Sequence, residues 1–243
     1  MRAPSLIITA LVGLIVNVSV PGTHAATVTF VTPTGATTSG PVDASATIGT
    51  IANGIIVSLS NLQPNISDVA QALSDLSFTY SGPNLSGTPV SASVGQEITV
   101  AGNGTFTTGP IGATGWAVSS PTSNTLLLNV LGTAIGPAHL IIGPPGPGSV
   151  YSNANGSIAG NGPHNPFLNE FVLFVITLMG ITFDTTITSA TFSFGTTSGV
   201  NVTGVAVPIP GGLPLFATGL AGLGLLGWRR KRKAYKSCEG SAL

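Results

Sequence analysis

The sequence predicts an all-β protein: a β-sandwich, jelly-roll-like in size, with one short helix, flanked by apolar segments near both ends of the chain. Three observations predict it. Between Ala26 and Ala206 most apolar residues recur with period two, the spacing of half-buried strands. Glycine- and proline-rich clusters punctuate these runs, which keeps the strands short. A single stretch in that region carries helical spacing. Many short strands with turn signals and little helix point to a sandwich of two sheets.

The first 25 residues read as a secretory signal peptide. Arg2 precedes an apolar run from Leu6 to Val16, Pro21 breaks that run's continuation, and Thr23-His24-Ala25 places small residues at the −3 and −1 positions before Ala26. Cleavage is expected between Ala25 and Ala26. An uncleaved anchor is disfavoured, because an eleven-residue core falls short of a bilayer span and Pro21 interrupts its end.

The exported domain is expected over residues 26–199. Val28 and Phe30, Val57 and Leu59, Ile98 and Val100, Leu126, Leu128 and Val130, and Ala190, Phe192 and Phe194 each alternate with other residues along a strand. Phe171 to Leu178 is apolar on both faces apart from Thr177, which suits a central strand covered on both sides or one contacting a second layer. Turns are expected at Ser81-Gly82-Pro83-Asn84, at Ala101-Gly102-Asn103-Gly104 and at Gly143-Pro144-Pro145-Gly146-Pro147-Gly148. Asn65-Ile66-Ser67-Asp68 can cap a helix of one to three turns in which Val69, Leu73 and Leu76 share a face, with Asp68 at the positive end. The long loop from Gly143 to Pro166 holds few apolar residues and reads as a binding surface or a mobile segment. Residues 200–206 read as a linker.

Charge is distributed unevenly. The region from Ala26 to Ala206 carries six carboxylates, Asp43, Asp68, Asp75, Glu97, Glu170 and Asp184, and no lysine or arginine, so its formal charge is −6. The neutral total for the chain balances this region against a basic C-terminal cluster. Nucleic acid is thereby excluded as a partner, since phosphate binding depends on Lys and Arg. Cys238 is the only cysteine and follows the basic cluster, so the exported region has neither disulfide nor thiol chemistry.

Chemistry-bearing residues are sparse. The exported region has two histidines, His139 and His164. No Gly-x-Ser-x-Gly elbow accompanies them, and no spacing matches a zinc or Asp-x-Asp-x-Asp calcium site. His139, His164 and Glu170 could share a metal only if the long loop folds back on the strand near His139; ordinary hydrogen bonding of each ring is the better reading. Glu170 and Asp184 are the pair a polysaccharide hydrolase could use, though no sequence spacing identifies them as one. The residues therefore predict no catalytic group, metal or cofactor. Asn65, Asn84, Asn103, Asn155 and Asn201 each begin an Asn-x-Ser/Thr pattern, which arises by chance in a chain this rich in those residues.

Past the exported region the chain reads Val207-Pro208-Ile209-Pro210, then an uncharged run over 211–228 that ends at Trp228, then Arg229, Arg230, Lys231, Arg232 and Lys233. About 18 residues at roughly 1.5 Å each give a helix of about 27 Å, enough to cross a bilayer core. Trp228 suits the headgroup level, and the basic residues favour retention on the cytoplasmic side, leaving 234–243 as a cytoplasmic tail. This three-part order over residues 207–233 resembles the PEP-CTERM sorting signal, in its VPLPA-type variant. Val207, Pro208 and Pro210 match the motif, Leu213 to Trp228 the helix, and Arg229 to Lys233 the basic stop; Ile209 and Gly211-Gly212 depart from the usual residues. The resemblance implies processing by an exosortase-like membrane enzyme of a bacterium. It also implies passage from the inner membrane to the cell surface or extracellular matrix, and a structural or adhesive role with exopolysaccharide. The alternatives are a secreted polysaccharide-active hydrolase and a permanently anchored single-pass envelope protein.

Overall fold

The computed structural model describes residues 27–82, 87–197 and 199–208. The signal peptide at 1–25, the Ala25–Ala26 junction, Ile209 and Pro210, the apolar helix at 211–228 and the basic cluster from Arg229 to Lys233 lie outside the described residues. The chain divides into two units, Met1–Ala206 and Val207–Leu243; of the second, only Val207 and Pro208 are described.

The first unit is all-β. Among the described residues the strands run β1 (Thr27–Val31), β2 (Ala44–Ile51), β3 (Gly54–Asn61), β4 (Leu73–Tyr80), β5 (Val90–Val100), β6 (Phe106–Ala113), β7 (Ala117–Thr122), β8 (Thr125–Asn129), β9 (Ile141–Ile142), β10 (Phe167–Thr177), β11 (Ile187–Phe194), β12 (Asn201–Thr203) and β13 (Val205–Val207). Hydrogen-bonded neighbours follow the order β12-β11-β4-β9-β10-β3-β2-β1-β13; β5 and β6 branch from β10, and β8 and β7 from β4. The sheet is mixed, because β9 runs parallel to β10 whereas β3 and β5 flank β10 antiparallel.

Alternation decides which side chains enter the core. Ala44, Ala46 and Ile48 on β2, Val57 and Leu59 on β3, and Val172, Phe174 and Ile176 on β10 point inward. So do Leu76 and Phe78 on β4, Leu126 and Leu128 on β8, and Ala190 and Phe192 on β11. All belong to one core cluster, and each fully buried Leu, Ile or Phe contributes about 1.5–3 kcal/mol. Trp116 packs edge-on against Phe174, with ring centroids 5.5 Å apart. The backbone at Gly204 lies so close that a Cβ there would sit 3.0 Å from the Phe192 ring and 3.2 Å from the Phe30 Cβ.

Three expectations are corrected, and two strands come unannounced. Phe171 to Leu178 lies in a strand between two neighbours, but only one face is covered: Phe171 is 40% and Val175 42% exposed. The expected helix is one 3₁₀ turn, Val69–Gln71, with Leu73 and Leu76 on the strand that follows. Asp68 does cap it, its carboxylate accepting from the Ala70 N–H at 2.8 Å, and Gln71 completes a capping box. The helix stops because Ala72 already has extended backbone angles, φ −80° and ψ 136°. The expected linker at 200–206 carries β12 and part of β13. β12 pairs with β11 through Thr191↔Thr203 and Ser193↔Asn201, and the Gly204 N–H donates to the Ala190 carbonyl at 2.8 Å. Finally, β6 and β7 had no apolar alternation to announce them: both are exposed strands, each containing a proline, Pro110 and Pro121.

Candidate functional site

His139 is the most constrained polar residue of the first unit. It is buried, and its backbone takes φ 59°, a left-handed conformation uncommon for a non-glycine residue. The fold holds it by every polar atom. Its N–H donates to the Pro166 carbonyl at 2.8 Å, and its carbonyl accepts from the Trp116 indole N–H at 2.8 Å. Ring Nδ1 lies 2.7 Å from the Thr114 carbonyl oxygen, which can only accept, so Nδ1 carries a hydrogen. Nε2 faces Glu97 Oε1 at 3.4 Å. His139 thus ties together β5, the β6–β7 connection and the chain leading into β9 and β10. Its ionisable neighbour is Glu97, a residue the sequence reading did not connect with it and that no local spacing could have revealed.

His164 lies elsewhere, in the loop 143–166, where its Nδ1 is 2.6 Å from the Ser157 carbonyl and its N–H donates to Asn161 Oδ1 at 3.2 Å. The two histidines and Glu170 are not brought together as a ligand set; among the described residues no group of three or more His, Cys, Asp or Glu side chains is placed to hold a metal. Glu170 sits with φ 62° where the β5–β10 register shifts, at the start of the regular part of β10. Asp184 lies in the turn beyond the far end of that strand. Seven residues of strand at about 3.3 Å each separate the two ends by roughly 23 Å, too far for a paired-carboxylate mechanism.

The loop 143–166 is held down rather than free. The Tyr151 hydroxyl donates to the Gly143 carbonyl at 2.8 Å and its N–H to the Gly104 carbonyl at 2.9 Å, while its ring packs edge-on against Phe106. Burial, and then the negative charge of Glu170, push the Tyr151 phenol well above its ordinary value. Gly143 passes so close to Gln63 that a Cβ would collide with the Gln63 carbonyl oxygen, so no larger residue fits there. Further along, Asn155 Nδ2 donates to Asp68 Oδ2 at 2.7 Å, the Val69 N–H donates to Ser157 Oγ at 2.9 Å, and Asn65 Nδ2 donates to Ser152 Oγ at 3.0 Å. The loop is therefore docked on the capped 3₁₀ turn. The Ala70 N–H, then the Asn155 amide, hold the Asp68 carboxyl below its ordinary range.

Two of the Asn-x-Ser/Thr patterns have a structural use. Asn103 Oδ1 accepts from the Thr105 N–H at 3.1 Å and its hydroxyl at 2.7 Å; Asn155 Oδ1 accepts in the same way from Ser157, at 2.8 and 2.6 Å. These are side chain–closed turns, for which Asn followed two residues later by a hydroxyl is well suited.

Of the C-terminal motif, Val207 closes β13 with 42% exposure and Pro208 is also exposed. Among the described residues no helix is long and apolar enough to cross a membrane. No family model, curated protein or solved structure matches the chain.

Proposed function

We propose that this is an exported surface or matrix protein, sorted through its C-terminal signal by an exosortase-like enzyme of the inner membrane. One observation carries the reading: the chain has no lysine or arginine from Ala26 to Ala206, then places five basic residues directly behind an uncharged run that begins after Val207-Pro208-Ile209-Pro210. The basic cluster directly behind the uncharged run holds the tail on the cytoplasmic side, and no lysine or arginine flanks the run on its other side to oppose that orientation. The exposure of Val207 and Pro208 leaves the start of the motif open to a processing enzyme.

The exported domain is read as a two-layer β-sandwich of jelly-roll size. In support, the inward residues Ile48, Val57 and Phe174 of the β2-β3-β10 side and Leu128, Phe78 and Phe192 of the β8-β4-β11 side share one core. Its role is structural or adhesive, through uncharged polar contacts with exopolysaccharide, and it is not catalytic. Ser, Thr, Asn and Gly rather than charges supply those contacts. The test is a Pro208→Ala/Pro210→Ala chain expressed in the natural host. Sorting predicts that this chain accumulates in membranes while the parent is released. Release of the variant at the parent's level would refute the role given to the motif.

A further inference from the structure

We infer that the outward face of β5, β10, β3 and β2 is a homotypic interface, on which a second copy of this chain packs sheet to sheet about a two-fold axis. This inference does not rest on the sorting reading.

Register places the face. Across the sheet Val94, Leu173, Ser58 and Thr47 lie in one row, and Ala92, Val175, Ile56 and Gly49 in the next. No register shift interrupts β10 from Val172 to Thr177 on either side, so the face is regular. It is also apolar where it should be wet: Val90 is 65%, Val94 48%, Val175 42% and Phe171 40% exposed. The lone exposed apolar residue needs no explanation, but a contiguous block of them does.

Charge and bulk choose the occupant. The stretches 44–51, 54–60, 90–95 and 171–177 contain no ionisable side chain, whereas every charge elsewhere in residues 27–208 is a carboxylate. Two copies meeting through this face bring no like charges together. The face is moreover divided into a bulky half and a small half. Phe171, Leu173 and Val175 stand on β10, and Ser60, Ser58 and Ile56 stand beside them on β3. A two-fold axis lying in the interface, parallel to the strands and between β10 and β3, lays each half over the other half of the partner copy. Phe171 then covers Ser60, Leu173 covers Ser58, Val175 covers Ile56, and Val94 covers Thr47. Such an interface is self-complementary, as an isologous contact requires, and has the aligned geometry of stacked sheets. Four strands about 4.8 Å apart and six residues of about 3.4 Å give a projected face of roughly 400 Å² per copy, about 800 Å² for the pair and below the roughly 1,200 Å² of a stable complex, so the assembly is weak and concentration dependent.

The test is sedimentation velocity of the full chain in mild detergent over a range of concentrations, with Val175→Asp, Ile56→Lys and Thr47→Arg variants. The parent is expected to dimerise and each variant to sediment as a monomer. Thr47→Arg removes one half-exposed hydroxyl and its 3.0 Å hydrogen bond with the Thr29 hydroxyl, a smaller change than a charge on β10; near-ultraviolet circular dichroism matching the parent verifies that the fold is retained. An equimolar mixture of Val175→Asp and Ile56→Lys is expected to regain the dimer, because one contact becomes an ion pair and its symmetry mate stays apolar. A monomeric parent at all concentrations overturns the inference. So do variants that assemble as the parent does, which would place self-association elsewhere in the chain.

Discussion

Asp75 shows how much a single side chain of this domain depends on its neighbours. It stands on β4 in register with Asn129 of β8 and Ser193 of β11, half-buried between them. Burial raises its pKa above 3.8, and the hydrogen bond with Ser193 opposes this only in part. A carboxyl whose folded value is raised favours the fold when protonated. That stability is present below 3.8 and is lost as the pH rises through the folded value, so the ionised form weakens the fold at neutral pH. Asp75→Asn is therefore expected to raise the thermal midpoint at neutral pH and to leave it unchanged below pH 3.8, as measured by circular dichroism melts at the two pH values. In the variant the Ser193 hydroxyl oxygen can accept from the new amide, since its single hydrogen is no longer drawn to a carboxylate and can go to Asn201 Oδ1, 2.6 Å away. Contacts of this kind are invisible in sequence: Asp75 is 118 residues from Ser193, and only the pairing of β4 with β11 joins them.

Elements were legible where one face alternates and opaque where it does not. Val28 and Phe30, Val57 and Leu59, and Ala190, Phe192 and Phe194 are inward or partly inward on β1, β3 and β11, as their period demands. The apolar run in β10 misled because sequence records that both faces are apolar, not whether anything covers the second one. At Val69 the cap signal was genuine, but the spacing of Leu73 and Leu76 fits both a helix and the strand in which Leu76, Phe78 and Tyr80 alternate. The strand won, since it places those residues in the shared core. The loop 143–166 is anchored on the cap itself, which ties its stability to Asp68. Replacing Asp68 with Ala removes the cap and the Asn155 contact and is expected to cost about 1 kcal/mol at neutral pH, read from urea unfolding. Because the folded Asp68 carboxyl lies below 3.8, its contribution is present above that value and disappears as the pH falls through the lower folded value. The difference between parent and variant should shrink accordingly in acid.

At the scale of the whole molecule, the all-β class followed from period and punctuation, which are local properties. The mixed strand order did not, because it depends on the parallel β9–β10 contact, formed by two residues of β9. The proposed function rests on local properties of the same kind. Hydropathy and charge along the chain specify where segments partition, and the contrast between a domain without cations and a tail with five in succession needs no fold to be read. The candidate polar residues were another matter. The partnership of His139 with Glu97 spans three elements, and the docking of Asn155 on Asp68 joins residues 87 apart. The central claim is that the chain is exported, cut at both ends and released, and intact mass spectrometry of the protein from medium, surface matrix and membranes of the natural host tests it most directly. The account predicts a released species that begins at Ala26 and ends within or just before Val207 to Gly212. A species found only in membranes and still carrying Arg229 to Leu243 would contradict it.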